Sequence, residues 1–387
     1  MVALWENRSF SFPYLACSFV VGRHSRSPAG DTQKEESAGL GRLEKRFSFA
    51  FCPYRRPFRR PLRTHHGLWS VREGILIRLT DRETGCQGYG EIAPIPWFGS
   101  ETLEQALEFC RQLPPLLSEA HIWGIPKALP ACRFGLECAW LACRDPDGLN
   151  KDLSLLSFCE LLGETIPSGA YKDSVRVARA VYKLKVGRDP MQQELEKLEQ
   201  WLERLPSGSR LRLDANGGLG LAEAHQWLAV CDRLNQDSPG KIEFLEQPLP
   251  PDQHARLVEL SRQYQTPIAL DESVACLEQL QAVHRSGWTG ILVVKPSLVG
   301  SCIALQEYLS RYPGLDLVFS SALETAIGAW HGLAWAGSLQ EKTACPRAVG
   351  WGVGGVFPEG DPVQLQMASP EERLALMQAV WERWSRL

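Results

Sequence analysis

Residues 181–205 read VYKLKVGRDPMQQELEKLEQWLERL. The opening alternates, with Tyr182, Leu184 and Val186 on one face and Lys183 and Lys185 on the other. A helical pattern follows at once, so the stretch reads as one strand feeding one helix. A strand packed under a helix is normally apolar, and lysine is almost never buried unpaired. Two ammonium groups side by side on the inner face of such a strand therefore call for partners.

The same unit recurs down the chain. RLRLDANGG (210–218), IEFLEQPLP (242–250), PIALDES (267–273), GILVVKPS (290–297) and LDLVFSSA (315–322) each precede a helical segment. With ETIPSGA (164–170) before them and RAVGWGV (347–353) after, eight strands are predicted. Their apolar character suits a (β/α)8 barrel. A doubly wound open sheet fits less well, because no glycine-rich phosphate turn follows the first strand. The segment around 171–180 is short for a full crossover helix.

Each strand ends in a polar residue: Lys185, Asp214, Glu246, Asp271, Lys295 and Ser320. One βα unit separates each from the next, which places all six around the carboxyl-end mouth of a barrel. Asp214, Glu246 and Asp271 come from consecutive strands, and three adjacent carboxylates repel unless a cation sits among them. Oxygen donors without His or Cys favour Mg²⁺. Helix capping by each acid is the alternative. Lys183 and Lys185 disfavour each other's charge, which suits a general base, while Lys295 arrives from across the mouth. Such a site suits removal of a proton α to a carboxylate. Direct pairing of the lysines with the acids remains open beside it. Arg212 and Asn216 share the face of Asp214 and support it. Ser320 and Ser321, with Glu324, precede a helix whose N-terminus suits a second carboxylate, or the serines simply cap that helix. His65 and His66 sit in a turn and receive no chemistry.

Ahead of the barrel, residues 46–110 alternate like strands and then turn helical, with Ser100 as the expected N-cap of SETLEQALEFCRQL. That predicts an α+β cap over 44–130, completed by about 355–387, on a barrel over 131–354. Residues 1–43 read as a weakly ordered extension. Net charge is −3, so no basic excess points to nucleic acid or an anionic membrane. No apolar run is long enough to span a bilayer. The twelve cysteines form no CxxC pair and read as reduced core thiols, consistent with a cytoplasmic protein.

KLK, LRLDANGG, FLEQPL, ALDES and VVKPS, in this order, resemble the enolase superfamily in its muconate-lactonizing subgroup. (Enolase-type sites, with a Lys or His base and Mg²⁺, are a known pattern.) The cap segments RRPLRTHHGLWSVREG and GYGEIAPIPWFGSETLEQA, with SSALETAIG, resemble its dehydratases of menaquinone and phylloquinone synthesis. These convert 2-succinyl-6-hydroxy-2,4-cyclohexadiene-1-carboxylate to the aromatic acid. The resemblance implies Lys185 as base and then acid in a syn elimination, tuned by Lys183, with Lys295 opposite. It implies Mg²⁺, replaceable by Mn²⁺, on Asp214, Glu246 and Asp271. Substrate contacts would come from Ser320, Ser321, Thr64 and Gly67, with loops 61–67 and 94–100 closing over a small dicarboxylate. No oligomeric state follows. An N-acylamino acid racemase or cycloisomerase shares this site, and a non-catalytic carboxylate-binding barrel is a lesser alternative. AVGWGVGG lacks the Asp-x-Asp with which dipeptide epimerases hold an amine, which argues against that activity.

Overall fold

The computed structural model describes residues 46–64, 67–145, 153–163, 180–238, 241–353, 355–358 and 368–386. The chain divides into two compact units, Met1–Leu43 and Glu44–Leu387, and the described residues all lie in the second. The extension before residue 44, ETIPSGA, residues 171–179 and the His65–His66 turn fall outside them.

The cap is built on a long hairpin. β1 (Phe47–Thr64) pairs antiparallel with β2 (Gly67–Asp81), with a register shift between Pro57 and Leu62. β3 (Gln87–Ile92) extends the sheet beyond β2. α1 (Leu103–Gln112) follows, then β4 (Leu116–Leu117) beside β1, α2 (Glu119–Trp123) and α3 (Pro130–Arg144). Ser100 does not cap α1. Thr102 does, in a capping box with Gln105, while Ser100 Oγ accepts the Ile95 N–H at 2.7 Å. The α3 backbone presses directly on β3, where a Cβ on Gly90 would stand 2.0 Å from the Gly135 oxygen. Only glycine permits that approach.

Eight parallel strands make the barrel: β5 (Phe158–Leu161), β6 (Val181–Lys185), β7 (Arg210–Asp214), β8 (Ile242–Glu246), β9 (Ile268–Leu270), β10 (Ile291–Val294), β11 (Leu317–Phe319) and β12 (Val349–Gly352). β5 to β11 neighbour one another in chain order, β12 lies beside β5, and a Ser320–Gly350 bridge joins β11 to β12. The strand pairing with β6 is therefore Phe158–Leu161, just ahead of the predicted ETIPSGA. After β6 to β9 come α4 (Met191–Arg204), α5 (Leu221–Asp237), α6 (His254–Gln263) and α7 (Leu277–Arg285). After β10 come α8 (Pro296–Val299) and α9 (Cys302–Arg311), then α10 (Ala326–Gln340) after β11 and α11 (Pro370–Ser385) after β12. The Tyr54 ring of the cap meets Trp384 of α11.

Among the described residues all eleven cysteines are free and eight are buried, as expected for core thiols. No described helix is long and apolar enough to cross a membrane.

His331 of α10 is fully buried, and its Nε2–H donates to the Tyr89 carbonyl of β3 at 2.7 Å. Burial pushes its pKa down to about 4. The folded protein thus keeps the ring neutral where the unfolded chain binds a proton, so stability is full above the ordinary histidine pKa and falls as pH drops toward 4. Between pH 7 and 5 this one group should remove about 2 kcal/mol. Urea unfolding at both pH values checks this, with His331→Gln expected to flatten the pH dependence by that amount.

Candidate active site

The pleat of β6 sends Tyr182 and Leu184 outward, where they are buried under helices, and leaves Lys183 and Lys185 facing the barrel interior. Lys185 lies in register with Asp214, and Asp214 with Glu246. Asp271 and Lys295 directly follow β9 and β10. All six predicted strand-end residues line one cavity of about 790 Å³ at the carboxyl end of the barrel.

The lysines and acids pair directly. Lys183 Nζ lies 2.6 Å from Asp214 Oδ2 and 2.7 Å from Glu246 Oε1. Lys185 Nζ meets the same Asp214 Oδ2 at 2.6 Å and donates to Asn216 Oδ1 at 2.7 Å. Lys295 Nζ grips both oxygens of Asp271. The expectation that charge repulsion depresses one lysine of the β6 pair is not met at Lys183. Burial pushes its ammonium down, but Asp214 and Glu246 outweigh that and hold it well above the usual range. Asp214 is pushed up by burial, yet its two lysines hold it well below the ordinary carboxylate range. Glu246 is pushed up to about 7 by burial and by Asp214. Burial likewise raises Asp271.

Sequence reasoning missed Glu272. Its Oε1 accepts from Asn216 Nδ2 at 3.0 Å, while its buried Oε2 has no partner among the described residues. Burial, then Asp214, raises its pKa. The buried Asp214, Glu246 and Asp271 and the partly buried Glu272 thus face three ammonium groups, which leaves the cluster one formal positive charge short. Among the described residues no three His, Cys, Asp or Glu side chains stand as a ready-made metal cage, and the lysines hold Asp214 Oδ2, Glu246 Oε1 and both oxygens of Asp271. The donor set still fits a divalent cation: it is all oxygen, buried, short of positive charge, and has one orphaned oxygen. Gln247 was also missed. Its side-chain oxygen accepts the backbone N–H of Asp271 and of Ser273, which fixes the DES turn. Both residues stand beside quoted motif acids, which is the signal that could have found them.

Arg212 sits one layer below Asp214, donating to Glu243 and to the Ala348 carbonyl, each at 2.8 Å. Among the described residues it supports the wall through Glu243 and makes no hydrogen bond to Asp214, Glu246 or Asp271. Ser320 and Ser321 line the cavity, but the Ser321 hydroxyl donates to Glu324 at 2.6 Å. Neither serine caps α10. Thr325 does, and the fully buried Glu91 of β3 accepts from the backbone N–H of Thr325 and of Gly328. The helix N-terminus is filled by a carboxylate of the cap, so it is not open to one from a substrate. Thr64 lines the cavity, and its hydroxyl donates to the Gly67 carbonyl at 2.8 Å. Gly67 itself lies outside the wall, with φ +107 at the hairpin tip. Arg59, Arg60 and Arg63 of β1 line the mouth, legible only as the basic run RRPFRRPLR.

Residues 51–143 match the family described as MenC, N-terminal domain, and residues 171–345 match Enolase C-terminal domain-like. The o-succinylbenzoate synthase of Thermosynechococcus vestitus is 42% identical over 278 residues, covering 71% of this chain and 84% of that protein. The chain belongs to the o-succinylbenzoate synthase family. That family's Mycobacterium tuberculosis member is 32% identical over 252 residues, covering 61% of this chain and 71% of its own. The crystal structure of o-succinylbenzoate synthase from Thermosynechococcus elongatus BP-1, complexed with Mg in its active site, superposes with a TM-score of 0.71 at 36% identity, covering 87% of this chain and 99% of that one. The L-Ala-D/L-Glu epimerase from Bacillus subtilis shares the fold, at TM-score 0.63 and 20% identity, covering 80% and 90%. The barrel and cap expected from the sequence are therefore those of the o-succinylbenzoate synthase family within the enolase superfamily.

Proposed function

We infer that this chain is an o-succinylbenzoate synthase, a hydro-lyase that dehydrates 2-succinyl-6-hydroxy-2,4-cyclohexadiene-1-carboxylate to 2-succinylbenzoate in menaquinone or phylloquinone synthesis. The observation that carries the reading is the placement of Lys185 and Lys295 on strands four apart in this family's barrel, with three buried acids between them. Lys185, as the free amine, takes the proton from the carbon α to the ring carboxylate. The same group, now an ammonium, returns that proton to the departing hydroxyl on the same face. One C–H and one C–O bond break, water leaves, and the ring becomes aromatic. Lys295 faces the developing charge from the other side, and Lys183 holds Asp214 and Glu246 in place. Asp214, Glu246 and Asp271 would hold Mg²⁺, or Mn²⁺ in its place. When bound, the ion supplies positive charge against the second negative charge of the ionised carboxylate. The cavity-lining arginines of β1 suit a small dicarboxylate.

Residues 44–130 with 355–387 serve as the cap and 131–354 as the catalytic barrel. The buried free thiols suit the cytoplasm. Complementation tests the reading in cells. In a bacterial strain lacking its own o-succinylbenzoate synthase, this chain should restore menaquinone-dependent growth. Failure of the expressed, folded protein to do so counts against it.

A further inference from the structure

Lys295 has a neighbour besides Asp271. Its Nζ lies over the ring of Phe98, 3.9 Å from the centroid. Phe98 is a cap residue, carried on the single turn Pro96–Phe98 between β3 and α1. That turn is pinned. Phe98 N–H donates to the Ile95 carbonyl at 2.9 Å, Gly99 N–H to the Pro96 carbonyl at 3.0 Å, and Gly99 adopts φ +101, which favours glycine. The buried Arg72 guanidinium ties the root of the loop to the barrel, donating to the Pro94 carbonyl at 2.8 Å and to the Ala322 carbonyl at 3.1 Å. Next to it Trp97 packs edge-on against Trp69, with centroids 4.8 Å apart. The Phe98 ring is therefore a rigid face, only 9% exposed, presented to the lysine from another part of the fold.

An ammonium is attracted to the negative face of an aromatic ring, more strongly where water is excluded. We propose that Phe98 is a positioning residue for Lys295, so that the far wall of the site is complete only with the cap loop seated. Asp271 holds the ammonium from the barrel and Phe98 holds it from the cap. The proposal rests on the functional reading above, in which Lys295 faces the charge formed at the substrate.

Graded fluorination of Phe98 tests this, because fluorine drains the ring face of negative charge while changing its size little. Turnover should fall step by step from phenylalanine to mono-, di- and trifluorophenylalanine, with KM little changed. Phe98→Leu should lower kcat about tenfold, and Phe98→Tyr should restore most of it. A flat kcat across the series, or an effect confined to KM, overturns the proposal and leaves Phe98 as a mere wall of the cavity. A second readout does not need turnover. In protein with ¹³C-labelled lysine, the Lys295 ε-methylene protons should resonate upfield and return to ordinary positions in Phe98→Leu. No such displacement also overturns it. Absence of dehydration by the unaltered protein would instead sink the functional reading, while the methylene signal still decides where Phe98 sits.

Discussion

Lys185→Ala should lower kcat for dehydration by at least about 10³-fold, because it removes the group that both takes and returns the proton. The fold should survive. Asp214 keeps Lys183 at 2.6 Å, so its carboxylate is not left without a cation. Mg²⁺ binding, followed by calorimetry, should persist in the variant. Lys185→Arg separates charge from base chemistry. A guanidinium keeps the positive charge beside Asp214 but does not give up its proton in a protein. It should therefore be as inactive as the alanine variant. An arginine variant with substantial turnover would reduce Lys185 to an electrostatic role.

Stripping divalent ions with a chelator should abolish turnover, and added Mg²⁺ should restore it. The physical reason lies in the acid cluster. Glu246, pushed up to about 7 by burial and Asp214, and Asp271, raised by burial, are carboxyls that their lysines alone do not fully compensate. Asp271→Asn should raise the Mg²⁺ concentration needed for half-activation by at least about tenfold. Titration of activity against Mg²⁺ checks both statements. Activity that survives exhaustive chelation would show that the lysines suffice.

The mouth of the barrel was legible because each strand is an apolar run that stops at one charged or hydroxyl residue, about one βα unit after the last. Lys185, Asp214, Glu246, Asp271, Lys295 and Ser320 could be placed in one ring on that ground alone. Pairing within the ring was not legible. Whether Lys183 meets a lysine or two acids depends on side-chain directions that spacing does not encode. Phe158–Leu161 was missed as a strand since it is only four residues long and carries Cys159 and Glu160. The role of Glu91 was hidden for another reason. Its partners Thr325 and Gly328 are 234 and 237 residues away, on a helix of the other layer. A lone acid in the apolar strand GYGEI was the visible trace. Ser100 and Thr102 were both plausible caps, and the choice was set by the hydrogen bond from Ile95 that occupies Ser100.

The central claim is that the site dehydrates a cyclohexadiene carboxylate rather than racemising an amino acid derivative. Purified protein with Mg²⁺ should be offered the cyclohexadiene carboxylate and, separately, N-acylamino acids in D₂O. The expected result is the appearance of 2-succinylbenzoate at a kcat/KM far above any α-proton exchange or racemisation. Rapid racemisation with no aromatic product would contradict it.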